Sequence, residues 1–129
     1  MLTENPAFTM AIEQFNSGDY YACHDTLEEI WHEAWQEDRH FYQGILQVAV
    51  GLYHLQNRNW RGAMILLGEG ISRLPEYEPS YYGVMVTELR DGAAEILGQI
   101  QQAYSQGESA LELYLSGVVM PQIVMVVEL

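Results

Sequence analysis

From His40 to Gln56 the chain runs without a single Glu or Lys, and Phe41, Ile45, Val48, Leu52 and Leu55 recur at alternating spacings of four and three. That period belongs to a helix with one apolar face. Tyr42, Leu46, Ala49 and Tyr53 fill much of the flank, so the helix is apolar nearly all round. A helix of that kind is central, and other helices must surround it. Opposite the apolar stripe lie Gln43, Gln47, Val50 and His54, all within about 60° around the axis. In a central helix such a stripe lines a polar seam or pocket rather than open water, and buried amides and imidazoles need partners.

The surrounding helices can be read from caps and breakers. Asn5-Pro6 opens a first helix that reaches Asn16 and is ended by Gly18. Asp19 caps a second, through about Gln36. The central third helix spans Arg39 to Gln56. Asn59 caps a fourth, ending near Leu74 before a tyrosine-rich loop bracketed by Pro75 and Pro79. A fifth covers Val84 to Tyr104, with Val86, Leu89, Ala93, Ile96 and Ile100 facing inward. Gly62, Gly68 and Gly70 lack phosphate-cradle spacing and are expected to permit close helix packing.

A faint repeat at an offset of forty residues relates Phe15–Ala22 to Leu55–Gly62: apolar residue, polar turn, cap, aromatic, small residue. The expected architecture is therefore all-α, a compact bundle of about five helices. Two stacked helical hairpins plus a closing helix would occupy residues 1–104 as a single domain. Residues 105–129 form a tail with an apolar, β-branched end. A strand there would present an unprotected edge, so the tail is expected to dock on its own domain or on a partner subunit, a homo-oligomer included.

Eighteen Asp and Glu against five Lys and Arg leave a formal charge of −13. Nucleic acid and anionic membrane surfaces are disfavoured as partners, because both are bound through Lys and Arg. A cation is easier to accommodate. No apolar stretch approaches the roughly 20 residues of a membrane span. The first residues lack the basic and apolar regions of a secretory leader, and a cytoplasmic location is expected. The lone Cys23 excludes an intramolecular disulfide and is expected to stay a buried thiol.

Chemistry concentrates in the second helix. His24 and Glu28, four apart, lie about 40° apart on its shoulder, with Trp31 close by. Cys23, Leu27, Ile30 and Ala34 form the inward stripe, while Asp25, Glu29 and Glu33 point to solvent. His32 lies about 80° from His24, turned outward. A half-buried imidazole beside a carboxylate suits metal ligation, general acid–base work, or a plain hydrogen bond that fixes packing.

The run His24-Asp25-Thr26-Leu27-Glu28-Glu29-Ile30-Trp31 resembles the signature of the bacterial and archaeal domain-of-unknown-function family 309, a His-x-x-x-Glu-x-x motif followed by Trp or Tyr. The resemblance extends through Asn16–Tyr21, Arg39–Gly44, Tyr53-His54, Asn59–Ala63 and Leu74-Pro75, and covers roughly residues 8 to 100. It implies an all-helical fold and draws attention to His24, Glu28, Trp31, Gln43, Gln47 and His54. One departure stands out: Met85 follows Gly83-Val84 where similar members carry Asp, so the last helix lacks an acidic cap.

The leading functional expectation is a polar His/Glu pocket for a divalent ion, zinc, manganese or iron. His24, Glu28 and His54 would be its ligands, Gln43 or Gln47 would orient a ligand or water, and Trp31 would wall the site. An open position on such an ion would allow water activation. The alternative is a helix-hairpin interaction module in which the cluster is structural. The repeat, Trp60 and Tyr81 as exposed aromatics, and the apolar tail all point that way.

Overall fold

The computed structural model describes residues 5–127, so residues 1–4 and the last two tail residues lie outside the described chain. Six α-helices follow one another: α1 (Pro6–Asn16), α2 (Tyr20–Glu33), α3 (Arg39–Gln56), α4 (Trp60–Arg73), α5 (Val86–Gln106) and α6 (Glu108–Gly117). Each packs on the next, and α3 is the element most deeply enclosed. Phe41, Val48, Ala49, Leu52 and Leu55 on α3 are fully buried, so the sequence pattern located the centre of the core. A two-stranded hairpin, β1 (Ser80–Tyr81) and β2 (Val84–Met85), precedes α5.

The forty-residue repeat extends to backbone detail. Gly18 and Arg58 both take positive φ, 81° and 61°. One residue later, Asp19 N–H donates to the Gln14 carbonyl and Asn59 N–H to the His54 carbonyl, each at 2.9 Å. The same left-handed turn therefore closes one helix and opens the next in both hairpins. The caps differ in side chain: Asn59 Oδ1 accepts from Gly62 N–H at 3.0 Å, whereas Asp19 makes no side-chain cap bond. The expected Asn5 cap is formed, accepting from Ala7 N–H at 2.9 Å.

The α3–α4 contact is backbone-close. A Cβ built on Gly70 would stand 2.7 Å from the Gly44 carbonyl oxygen and 2.9 Å from Val48 N. Gly70 thus serves close packing as expected. Gly68 meets nothing within 4 Å, and Gly62 faces its own cap residue.

The helix before the tail lacks its acidic cap, as expected from Met85. Pro79 supplies the missing partner, its carbonyl accepting from Val86 N–H at 3.0 Å and Thr87 N–H at 3.3 Å. Beyond α5 the chain forms α6 and then turns back over its own body. Met85 N–H donates to Val124 O at 2.9 Å, and Val126 N–H to Gly83 O at 2.7 Å. Asn16 clamps Ile123 from α1, accepting from its N–H at 2.7 Å and donating to its carbonyl at 2.9 Å. The strand-like tail end is thus paired within the chain. Trp60, expected on the surface, is 8% exposed and reaches Glu108 of α6 at 3.4 Å, while Tyr81 is half-buried.

Candidate functional site

Tyr20, Cys23, Leu27 and Ile30 turn one face of α2 into the core, which leaves His24 on the shoulder of the helix. Its Nε2 lies 3.2 Å from Glu28 Oε2, and its Nδ1 3.1 Å from Asp25 Oδ1. The imidazole is thus held between two carboxylates of its own helix. His32, one turn on, is largely exposed and stands 3.9 Å from the other Glu28 oxygen. Tyr21 packs 6.2 Å from the His24 ring and 5.4 Å from Tyr53 of α3.

The remaining expected site residues are distributed differently. His54 is half-buried at the end of α3, where Nδ1 is 3.3 Å from Asn59 Nδ2 and the ring is 6.1 Å from Tyr53. Gln47 is buried, but its partners belong to α4: Nε2 donates to Glu69 at 3.2 Å, and Oε1 accepts from Arg73 at 2.8 Å. This amide is therefore satisfied from α4 and not from the α2 shoulder that carries His24. The glycine contact at Gly70 brings α4 against α3, and the nearest polar groups come from α4. Gln43 is half-buried on α3. Trp31 is half-buried beside His32, with the Arg39 guanidinium 5.0 Å above its ring and Nε1 unpartnered among the described residues. Among the described residues no three His, Cys, Asp or Glu side chains are grouped so as to hold a metal ion.

A second polar centre was not singled out from the sequence. Asp38, in the 3-10 turn before α3, is 3% exposed and accepts from the hydroxyls of both Tyr81 and Tyr82. Tyr77 donates to the Glu37 carbonyl next door at 2.8 Å. Asp38 makes no cap bond to α3, because the phenols engage its carboxylate. Hydrogen bonding to Asp38, and then burial, push the Tyr81 phenol up; the same two causes raise Tyr82. The signal in the sequence was the pairing of an acidic turn with a tyrosine-rich loop, but those segments are some forty residues apart.

Burial pushes the Cys23 thiol from 9.0 up to about 12, aided by the Asp19 charge, so it is an inert thiol as expected. Burial likewise raises Tyr20 and Tyr42 from 10.0 to about 12. All three groups are held neutral in the fold, so their contribution is complete below the unfolded values. It is lost as pH rises from about 9 through about 12. The urea midpoint is accordingly expected to fall steadily above pH about 9; a flat midpoint across that window would contradict these shifts.

An all-helical chain with a carboxylate-flanked histidine on α2 is the class that fold and site define. The family described as "Domain of unknown function (DUF309)" matches this chain over residues 8–66, from α1 into α4. Among curated proteins, the uncharacterized protein YpuF of Bacillus subtilis (strain 168) is 31% identical over 99 residues, 76% of this chain and 54% of the relative. An uncharacterized protein of Aquifex aeolicus (strain VF5) is 25% identical over 85 residues, 65% of this chain and 26% of the relative. The aligned region thus spans about half or less of these relatives' length.

Proposed function

We propose that this protein binds a divalent metal ion on the shoulder of α2, with His24 Nε2 and Glu28 as the paired protein donors. The supporting observation is the 3.2 Å between those two atoms. Ligands about 2.0–2.1 Å from a tetrahedral ion stand roughly 3.3 Å apart, so the pair is spaced like one edge of a coordination shell. Asp25 adds the second support: its Oδ1 lies 3.1 Å from Nδ1, and an imidazole protonated there would present its Nε2 lone pair toward the ion. Surrounding carboxylates and the charge of −13 favour a cation.

His54, the third ligand expected from the sequence, is not grouped with this pair among the described residues, so it stands outside the proposed shell. Water or a donor outside the chain would complete the shell. Zinc, manganese and iron all accept imidazole and carboxylate together. Such an ion, with an open position, would lower the pKa of bound water.

The test is elemental analysis of protein purified without chelator, beside His24→Ala, Glu28→Ala and His54→Ala. Near-stoichiometric metal in the wild type, lost in the first two variants and kept in His54→Ala, is the expected result. An empty wild type whose melting temperature ignores added metal would overturn the proposal.

The alternative of an interaction module draws on one feature, an apolar groove between α5 and α6 with Leu113 75% and Val119 86% exposed. There the His24–Glu28 pair is packing only, and His24→Ala lowers the melting temperature equally with and without chelator.

A further inference from the structure

The C-terminal end of α2, the start of α1 and the Asp38 turn enclose a depression of about 820 Å³ that neither His24 nor Glu28 lines. Three kinds of wall meet in it. Carboxylates come from Glu29, Glu33 and the buried Asp38; aromatic rings come from Trp35, Tyr42 and Tyr82. A short apolar floor is made by alanines and Ile30. His32 and Asn5 complete the lining, and no Lys or Arg is part of it among the described residues.

The carboxylates and the rings each favour positive charge, and the apolar floor favours an organic carrier for it. The carboxylates set the sign of the local potential, and the C-terminus of α2 adds the negative end of its dipole. Tyr42 and Tyr82 stand nearly parallel, 25° apart with centroids 6.3 Å apart, and Trp35 is 75% exposed. Ring faces attract cations through their quadrupole, most strongly where the cation is poorly hydrated and carries alkyl groups. A small inorganic ion gains little from such walls or from the apolar floor. Asp38 holds the Tyr82 ring in place through its hydroxyl, so this wall is pre-set rather than recruited. The nearby Arg39 guanidinium does not fill the space: it lies over Trp31 and points toward the carbonyls of Ala34 and His32, at 3.4 and 3.5 Å.

We infer that this depression is a binding site for an alkylammonium group, its charge against Glu29, Glu33 and Asp38 and its carbon chain against Trp35, Tyr42 and Tyr82. The group could arrive on a free diamine or on a lysine side chain, and the two sources share this chemistry.

Titration calorimetry with putrescine and with Nα-acetyl-lysine amide distinguishes them, with the diol analogue of putrescine and magnesium chloride as controls. Binding by at least one amine and none by the diol is expected. The tighter of the two amines names the source. Trp35→Ala and Glu33→Gln, both at exposed positions, should each weaken binding by about two- to fivefold while the melting temperature holds. The inference is overturned if neither amine binds at millimolar concentration. It is equally overturned if the diol binds as well, if magnesium at equal charge displaces the amine fully, or if Trp35→Ala keeps full affinity.

Discussion

Phe41→Ala is expected to lower stability by about 3–5 kcal/mol, the range for a buried aromatic truncated to alanine. Phe41 is fully buried at the start of α3. Its ring meets those of Phe8, Tyr42, Tyr77, Tyr81 and Tyr82 at centroid distances of 5.9, 5.3, 5.4, 4.9 and 6.0 Å. These partners come from α1, α3 and the turn before α5, so one side chain joins segments far apart in sequence. Removing it leaves a void that rigid neighbouring rings cannot close. Urea unfolding followed by circular dichroism measures the cost, and a loss below about 1 kcal/mol would show that the cluster repacks freely.

Asp38→Ala should cost about 2–4 kcal/mol by the same measurement. Two phenols lose their acceptor, and a buried donor left unpaired costs about 1–3 kcal/mol. Tyr82 is 37% exposed and can turn to water, which places the total below twice that range. Tyr81 is half-buried, and more of the cost falls on it. The variant carries a spectroscopic signature as well. Hydrogen bonding to Asp38 is the main cause of the raised Tyr81 phenol, so its alkaline titration should move back toward the ordinary value of 10.0. Stability and titration both unchanged would mean that the phenols do not depend on this carboxylate. Asp38 and Phe41 share Tyr81 and Tyr82, so the double variant should deviate from additivity.

The two centres on α2 and beside it differ in how they could be read. His24 and Glu28 are one helical turn apart, and any helix over that stretch brings them together. Asp38 and Tyr81 are neighbours only because α3, α4 and the hairpin return the chain to its starting level. The same distinction separates Gln47 from the prediction made for it. Helical phase correctly excluded its exposure to open water, but could not say which helix would satisfy it. The tail followed a third pattern: its unpaired edge was visible in composition, whereas the edge that received it belongs to a hairpin of two residues per strand.

What this sequence determined by itself is local. Caps at Asn5 and Asn59, the stripe from Phe41 to Leu55, the inward face of α5 and the forty-residue repeat all rest on interactions within a few residues. They form wherever the chain is helical, and periodicity reveals them. The tertiary structure alone decided the rotation of each helix against its neighbours. Gly70 lets α3 and α4 approach backbone to backbone, Gly44 makes room for Leu74, and that approach turned Gln47 toward Glu69 and Arg73. It likewise decided the burial of Asp38 beneath two tyrosines and the seating of Ile123 on Asn16. These contacts join residues from 22 to 107 positions apart, and their geometry depends on packing that no single segment carries.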